Sequence, residues 1–137
     1  MALPNRLNIL VVEDDPSIRE LIAMSLRDAG HHVIERTALN VKDSVDGRAV
    51  SLVVVDCNLP GKAASRAQIG RLRAQFPFAS FIAISGYFPA HAAGHLQLAD
   101  MLGADGVLGK PFTSDALAAL VAALVTVRQA QQPQRYR

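Results

Sequence analysis

The stretch SLVVVDCNLP, Ser51 to Pro60, runs four consecutive apolar residues, Leu52 to Val55, straight into a carboxylate, Asp56. An apolar run without alternation predicts a strand buried on both faces, and such a strand belongs in the middle of a parallel sheet covered by helices. In open α/β sheets ligands bind beyond the carboxyl ends of the strands, where Asp56 would stand. Taken alone, an Asp that ends a strand shortly before Asn58 and Pro60 is more often a turn former than a reactive group. The remaining strands change those odds.

Asn8 to Val12 repeats the pattern, with Ile9, Leu10, Val11 and Val12 leading into Glu13, Asp14 and Asp15. Pro16 then opens a helix with Asp15 as its N-cap, and Ile18, Leu21, Ile22, Leu26 and Ala29 recur at helical spacing before Gly30 ends it. His32 to Glu35 is a short strand around Val33 and Ile34, placed near a sheet edge by the polar residues that crowd it, and its histidines read as exposed. Thr37 to Arg48 carries only Val41 and Val45 one turn apart before Gly47, and predicts a short helix.

After the central strand, NLPGKAAS is a loop, and the following helix carries Ile69, Leu72 and Phe76 on one face. Arg66, Arg71 and Arg73 could gather an anion there, but their positions favour a solvated face. Phe81 to Ile84 is a fourth strand, ending in Ser85 and Gly86. The segment from Pro89 to Gly103 reads as a helix weakened by Gly94. His91 and His95 in that segment are four apart but lack a third ligand, so they read as surface residues. Val107 and Leu108 form a very short fifth strand running into Lys110 and Pro111. Thr113 or Ser114 then caps a last helix whose buried stripe is Leu117, Leu120, Val121 and Leu124.

Five strands alternating with five helical patterns predict an α/β fold, a doubly wound five-stranded parallel sheet. At 137 residues, half of them hydrophobic, the chain can bury a core without metal or disulfide staples. The expected layout is one domain over residues 1–128 and a glutamine-rich disordered tail over 129–137, with no output domain. Cys57 has no partner in the chain and reads as a small filler. Its solitude, and the lack of a signal-peptide pattern in MALPNRLN, fit a reducing cytoplasm. Ala116 to Val127, the longest apolar stretch, falls short of the roughly 20 residues a bilayer requires, so no membrane span is expected. The formal charge of +2 comes from scattered basic residues, and the aromatics are few, so nothing offers a nucleic acid a binding platform.

The polar residues at the strand ends are Glu13 and Asp14, then Asp56, then Ser85, then Lys110. Acids, a hydroxyl and a lysine ending four strands of one sheet make a site. Two carboxylates about 4 Å apart repel by roughly 4 kcal/mol at an effective dielectric of about 20, so the three acids call for a divalent cation. Hard oxygen donors favour Mg²⁺, which keeps waters and bridges to phosphate.

From about Leu7 to Val127 the motifs ILVVEDD, VVVDCNLPG, IAISG and GADGVLGKPF, in this order and at these strand ends, resemble the CheY-like receiver domain of two-component response regulators. The resemblance implies a flavodoxin-like three-layer sandwich with strand order 2-1-3-4-5. It implies that Asp56 accepts a phosphoryl group from a sensor histidine kinase or a histidine phosphotransfer protein. Asp14, Asp56 and the Asn58 backbone carbonyl would hold Mg²⁺, with Glu13 acting through water, and Lys110 and Ser85 would hold phosphoryl oxygens. A cis Lys110–Pro111 bond is implied as well. The chain would then be a phosphoacceptor signalling domain, not an enzyme beyond slow self-dephosphorylation, and would act by phosphorylation-dependent binding of a downstream protein.

Three positions depart from the family pattern. Val107 stands where an aromatic residue is common, Ala63 and Ala64 replace a frequent Asp-Gly pair, and Tyr87 is bulky enough either to shield the phosphoryl group or to sit on the surface. Two other readings compete. One is a receiver-shaped interaction module that is never phosphorylated. The other is a Mg²⁺-dependent aspartyl-phosphate hydrolase, disfavoured because Asn58 stands where enzymes of the haloacid dehalogenase type need a second Asp, and an amide cannot shuttle a proton.

Overall fold

The computed structural model describes residues 6–38, 40–43, 45–57, 62–86 and 95–130. Strands β1 (Asn8–Val12), β2 (His32–Arg36), β3 (Leu52–Asp56), β4 (Ser80–Ser85) and β5 (Gly106–Gly109) form one sheet in the order β2-β1-β3-β4-β5, every pair parallel. Helices α1 (Pro16–Asp28), α2 (Lys62–Gln75), α3 (His95–Leu102) and α4 (Ser114–Ala130) cover its two faces. This is the doubly wound sandwich and strand order expected above, with β2 at an edge.

The unbroken apolar runs are explained by the two-sided burial. Leu10, Val12, Val53, Val55, Phe81, Ala83 and Val107 point to one face, with Ile69, Leu72 and Phe76 of α2 and Ala99 and Leu102 of α3. Ile9, Val11, Leu52, Val54, Ile82 and Ile84 point to the other, with Ile22 and Leu26 of α1 and Leu117, Val121 and Val125 of α4. All five residues of β3 are buried. Successive side chains alternate faces, so only a strand with helices on both sides needs every position apolar. No helix among the described residues is long and apolar enough to cross a membrane.

Helix boundaries follow local chemistry. The Asp15 carboxylate accepts from the amides of Ser17 at 2.9 Å and Ile18 at 3.2 Å, capping α1 as its position predicts. Gly30, at φ 98°, ends the same helix in the left-handed region where a side chain would clash. At α4 the cap is Thr113, whose hydroxyl accepts from the Ala116 amide at 3.0 Å. Helix α4 runs to Ala130, and the rest of the expected tail lies outside the described residues. Of the helix expected from Pro89 to Gly103, α3 covers His95–Leu102, while Tyr87, His91 and Gly94 fall outside the described residues.

The short helix expected over Thr37 to Arg48 does not form, and its described residues make turns instead. Turn chemistry outcompetes two valines. The Asn40 side chain accepts from the Thr37 amide at 2.7 Å, Asp46 accepts from the Arg48 amide at 3.0 Å, and the Arg36 guanidinium holds the Asp43 carbonyl. Gly47 permits a close approach to α2, since a β-carbon there would collide with the Gln75 carbonyl. Val41 still reaches the core, anchoring the segment without a helix.

Two of the three α2 arginines are not merely solvated. Arg66 donates to the Met101 carbonyl at 2.6 Å, and Arg73 donates to the Gly103 carbonyl at 2.7 Å. Arg73 also pairs with Asp105 at 2.9 Å and lies over the Phe81 ring, 4.7 Å from its centroid. Together they brace the C-terminal end of α3, where unsatisfied carbonyls carry partial negative charge. Asp105 closes the node by accepting from the Phe81 amide at 2.8 Å, joining β4 to the start of β5. Asp105→Ala should therefore destabilise the chain by about 1–3 kcal/mol, the usual cost of orphaning a backbone donor. The control is exposed Asp28→Ala, which should stay within about 0.5 kcal/mol, and equal urea midpoints for the two variants would remove the node from the account.

Of the two histidines expected to be exposed, only His32 is; His31 is half-buried and accepts from the Leu7 amide through Nδ1 at 3.1 Å. Burial lowers its pKa below the ordinary value of 6.5. The neutral form is thus the native one, and the unfolded chain takes up the proton first as pH falls. The stability this contributes is complete above 6.5 and declines as pH drops through that value toward the lower native one. Urea midpoints at pH 7.5 and 5.5 should fall further for the native sequence than for His31→Asn, which keeps an acceptor but does not titrate.

Candidate functional site

Parallel pairing brings the polar strand ends together. Val12 lies opposite Val55, Asp56 opposite Ile84 and Ser85 opposite Gly109, so Glu13, Asp56, Ser85 and Lys110 follow one another along the same sheet edge. Loop amides continue the ladder: Glu13 donates to the Arg36 carbonyl at 3.1 Å, Cys57 to Ile84 at 2.7 Å and Lys110 to Ser85 at 3.0 Å. The Lys110–Pro111 bond is cis, as the resemblance implies.

Lys110 is the centre of the charge arrangement. Its Nζ is 2.7 Å from Asp56 Oδ1 and 3.3 Å from Glu13 Oε1. Both carboxyl groups are only 2 % exposed, whereas the lysine side chain is 23 % exposed. Burial opposes the lysine's charge, but the hydrogen bond and pull of Asp56, joined by Glu13, outweigh it and hold the ammonium above its ordinary value. Burial pushes the Glu13 carboxyl up, and the neighbouring Asp56 carboxylate pushes it further, against the pull of Lys110. One ammonium does not neutralise two buried acids.

Each expected residue can now be placed. Asp14 is exposed, and its Oδ1 accepts from the Ala38 amide at 2.7 Å, so it stands at the mouth of the site. Ser85 is buried at the end of β4. Asn58 lies outside the described residues, as does Tyr87. Val107 is buried in the core beside Ala83, on the face shared with α2 and α3. Cys57 is a core residue, its thiol pushed up to about 11 by burial, partly offset by a hydrogen bond with Ser65 and reinforced by Asp56, which agrees with an unreactive filler.

Sequence reasoning missed two supports. Arg19 of α1 donates to the Glu13 carbonyl at 2.8 Å, and Gln68 of α2 donates to the Asp56 carbonyl at 3.4 Å. Arg19 lies one residue past the partly buried Ile18 and Gln68 one before the buried Ile69, so both flank an apolar stripe. That flanking is the only signal the sequence offers.

Glu13, Asp14 and Asp56 line a single cleft of about 770 Å³, which opens between the turns after β2 and the flank of α2. Asp56 Oδ2 is buried and has no hydrogen-bond partner among the described residues, while Oδ1 is taken by the lysine. Among the described residues no three His, Cys, Asp or Glu side chains close around an ion by themselves. That combination suits Mg²⁺, which binds through one or two carboxylates and keeps the rest of its shell as water and phosphate oxygens.

Known proteins resemble this chain in sequence and fold. The family model described as the response regulator receiver domain matches residues 9–122. The response regulator protein FleR of Pseudomonas aeruginosa is 32 % identical over 115 residues, 83 % of this chain and 24 % of FleR. An NtrX-like response regulator of Rickettsia conorii is 30 % identical over 119 residues, 85 % of this chain and 24 % of that protein. The chain thus spans about a quarter of the length of these relatives. Among solved structures, a CheY-like receiver domain protein from Methanospirillum hungatei superimposes with TM-score 0.70 at 20 % identity, over 92 % of this chain and 98 % of that one. The non-phosphorylated HemR receiver domain of Leptospira biflexa gives 0.66 at 22 %, over 88 % and 95 %. With the family match covering the strands, the acids and Lys110 alike, the chain belongs to the response regulator receiver domains of two-component systems.

Proposed function

We propose that Asp56 is the phosphoacceptor, taking a phosphoryl group from the phosphohistidine of a histidine kinase or a phosphotransfer protein. The observation that carries this is Asp56 itself: a buried carboxylate at the floor of an open cleft, gripped by Lys110 at 2.7 Å through one oxygen while the other has no donor among the described residues. The P–N bond of the donor breaks, a P–O bond to Asp56 forms, and the imidazole leaves with a proton.

Phosphoryl transfer asks the protein mainly for positioning and for neutralising the equatorial oxygens. Lys110 is held charged beside the acceptor and can follow the incoming oxygens, and Ser85 is placed to offer a hydroxyl from the neighbouring strand. Asp14, Asp56 and the Asn58 carbonyl would hold Mg²⁺, with Glu13 acting through water; when bound, the ion neutralises charge that Lys110 alone cannot.

The product adds about −1.5 to −2 of charge at one sheet edge. We assign its readout to binding of a downstream protein, on the surface formed by α3, β5 and α4. Turnover is limited to slow self-dephosphorylation.

Incubation with a small phosphodonor and Mg²⁺ should add one phosphoryl group by intact mass, abolished in Asp56→Asn and by chelator. Equal labelling of Asp56→Asn, or labelling indifferent to chelator, sinks the assignment. Val107 should keep its rotamer on phosphorylation, because its β-branched side chain has one stiff torsion and is packed into the core. Methyl NMR with and without a phosphoryl mimic reads this directly, and a rotamer change there would place the switch at β5 after all.

A further inference from the structure

The cleft that holds the acids extends well past them. It continues along α2 from Gln68, which touches the Asp56 carbonyl, to Gln75, two helical turns or roughly 10 Å further. Its far part is bordered by Ala38, Val41 and Lys42, in the segment whose described residues make turns. The nearly buried Val41 and Leu72 give it an apolar edge, and the exposed Lys42 and Arg71 line the same stretch.

Those two cations differ from the arginines that brace the fold. Arg19, Arg27, Arg36, Arg66 and Arg73 each donate to a carbonyl or a carboxylate. Neither Arg71 nor Lys42 makes an ion pair or side-chain hydrogen bond with a described residue. A guanidinium beside apolar walls offers two parallel donors to a carboxylate or a phosphate. The volume of about 770 Å³ lies in the range of small-molecule sites, and apolar walls with a few convergent polar groups are their usual lining. Glu13 and Asp56 repel an anion at the other end, which fixes its direction.

We propose that this part of the cleft binds a small organic anion, its acid group on Arg71 and Lys42 and its apolar body against the edge formed by Val41 and Leu72. The occupant lies beside Asp56 without using it, so the site goes beyond the phosphoacceptor role and stands without it. Because both share one cleft, an occupant narrows the approach to Asp56 and slows its modification.

The test is a titration of the full chain, followed by amide NMR, with hexanoate, hexyl phosphate, hexanol and hexylamine. One or both anions should shift the resonances of residues 41–42 and 68–75 saturably, and their relative strength identifies carboxylate or phosphate as the preferred head. The alcohol and amine should bind about tenfold more weakly or worse, a difference of about 1.4 kcal/mol. The double variant Lys42→Ala, Arg71→Ala should lose the same factor with an unchanged urea midpoint, and Arg71→Lys should recover part of it. Asp56→Asn, which removes a repelling charge from the same cleft, should bind the anions at least as tightly as the native chain, so loss of phosphoryl uptake and loss of anion binding are read separately. Failure of both anions to saturate, equal binding of hexanol, or shifts confined to other residues would overturn the proposal.

Discussion

A single ammonium between two buried carboxylates sets the terms for the rest of the molecule. Glu13 and Lys110 are 97 residues apart in the chain and 3.3 Å apart in space. What brings them together is the sheet, because a parallel ladder with both faces covered leaves the strand ends no freedom to splay. Removing one partner of such a buried set is costly because the remaining charge is stranded, by about 3–5 kcal/mol where burial is complete and by less where the lysine keeps some contact with water. The hydrophobic core therefore holds an electrostatic arrangement that would not assemble by its own attraction. The surplus negative charge left over is what gives a cation something to bind.

How much of this is legible in the sequence depends on the range of the interaction. Two-sided burial writes itself as LVVV and ILVV, and a cap as Asp15 before Pro16, so the strands and the first helix follow from local pattern, while the sheet order is implied only by the family resemblance. Glu13, Asp56 and Lys110 are legible for a related reason, since parallel register turns positions at the ends of strands into neighbours. Asp14 is less so. Its position one residue past Glu13 fixes which strand carries it but not that its carboxylate turns to the Ala38 amide at the mouth of the site.

Elsewhere the deciding partner is distant and leaves no local mark. Arg66 and Arg73 sit on a helix flank that reads as solvated, yet their long side chains reach the end of α3, a contact no periodicity encodes. The segment after β2 fails for the opposite reason. Its two valines do carry helical spacing, but Asn40, Asp46 and Gly47 each offer the backbone a better local alternative, and one buried valine suffices to anchor turns.

The substitution of valine for an aromatic residue at Val107 has to be weighed against the contacts that remain. Val107 packs with Ala99 and Leu102 of α3, and the C-terminal end of α3 is pinned by Arg66 and Arg73 to α2. A ring that swaps between exposed and buried positions is therefore not the coupling element. The backbone is better placed for that task. Lys110 donates to the Ser85 carbonyl, and Ser85 pairs with Gly109, so the two residues proposed to contact phosphoryl oxygens belong to one hydrogen-bonded unit. Charge drawn toward Asp56 by either of them is felt by both strands at once. Because α3 is braced at the end remote from that unit, a response within it would be a pivot about the braced end, with Leu102 as part of the fixed end and Ala99, a turn nearer the free end, supplying the differential contacts that a two-state element requires.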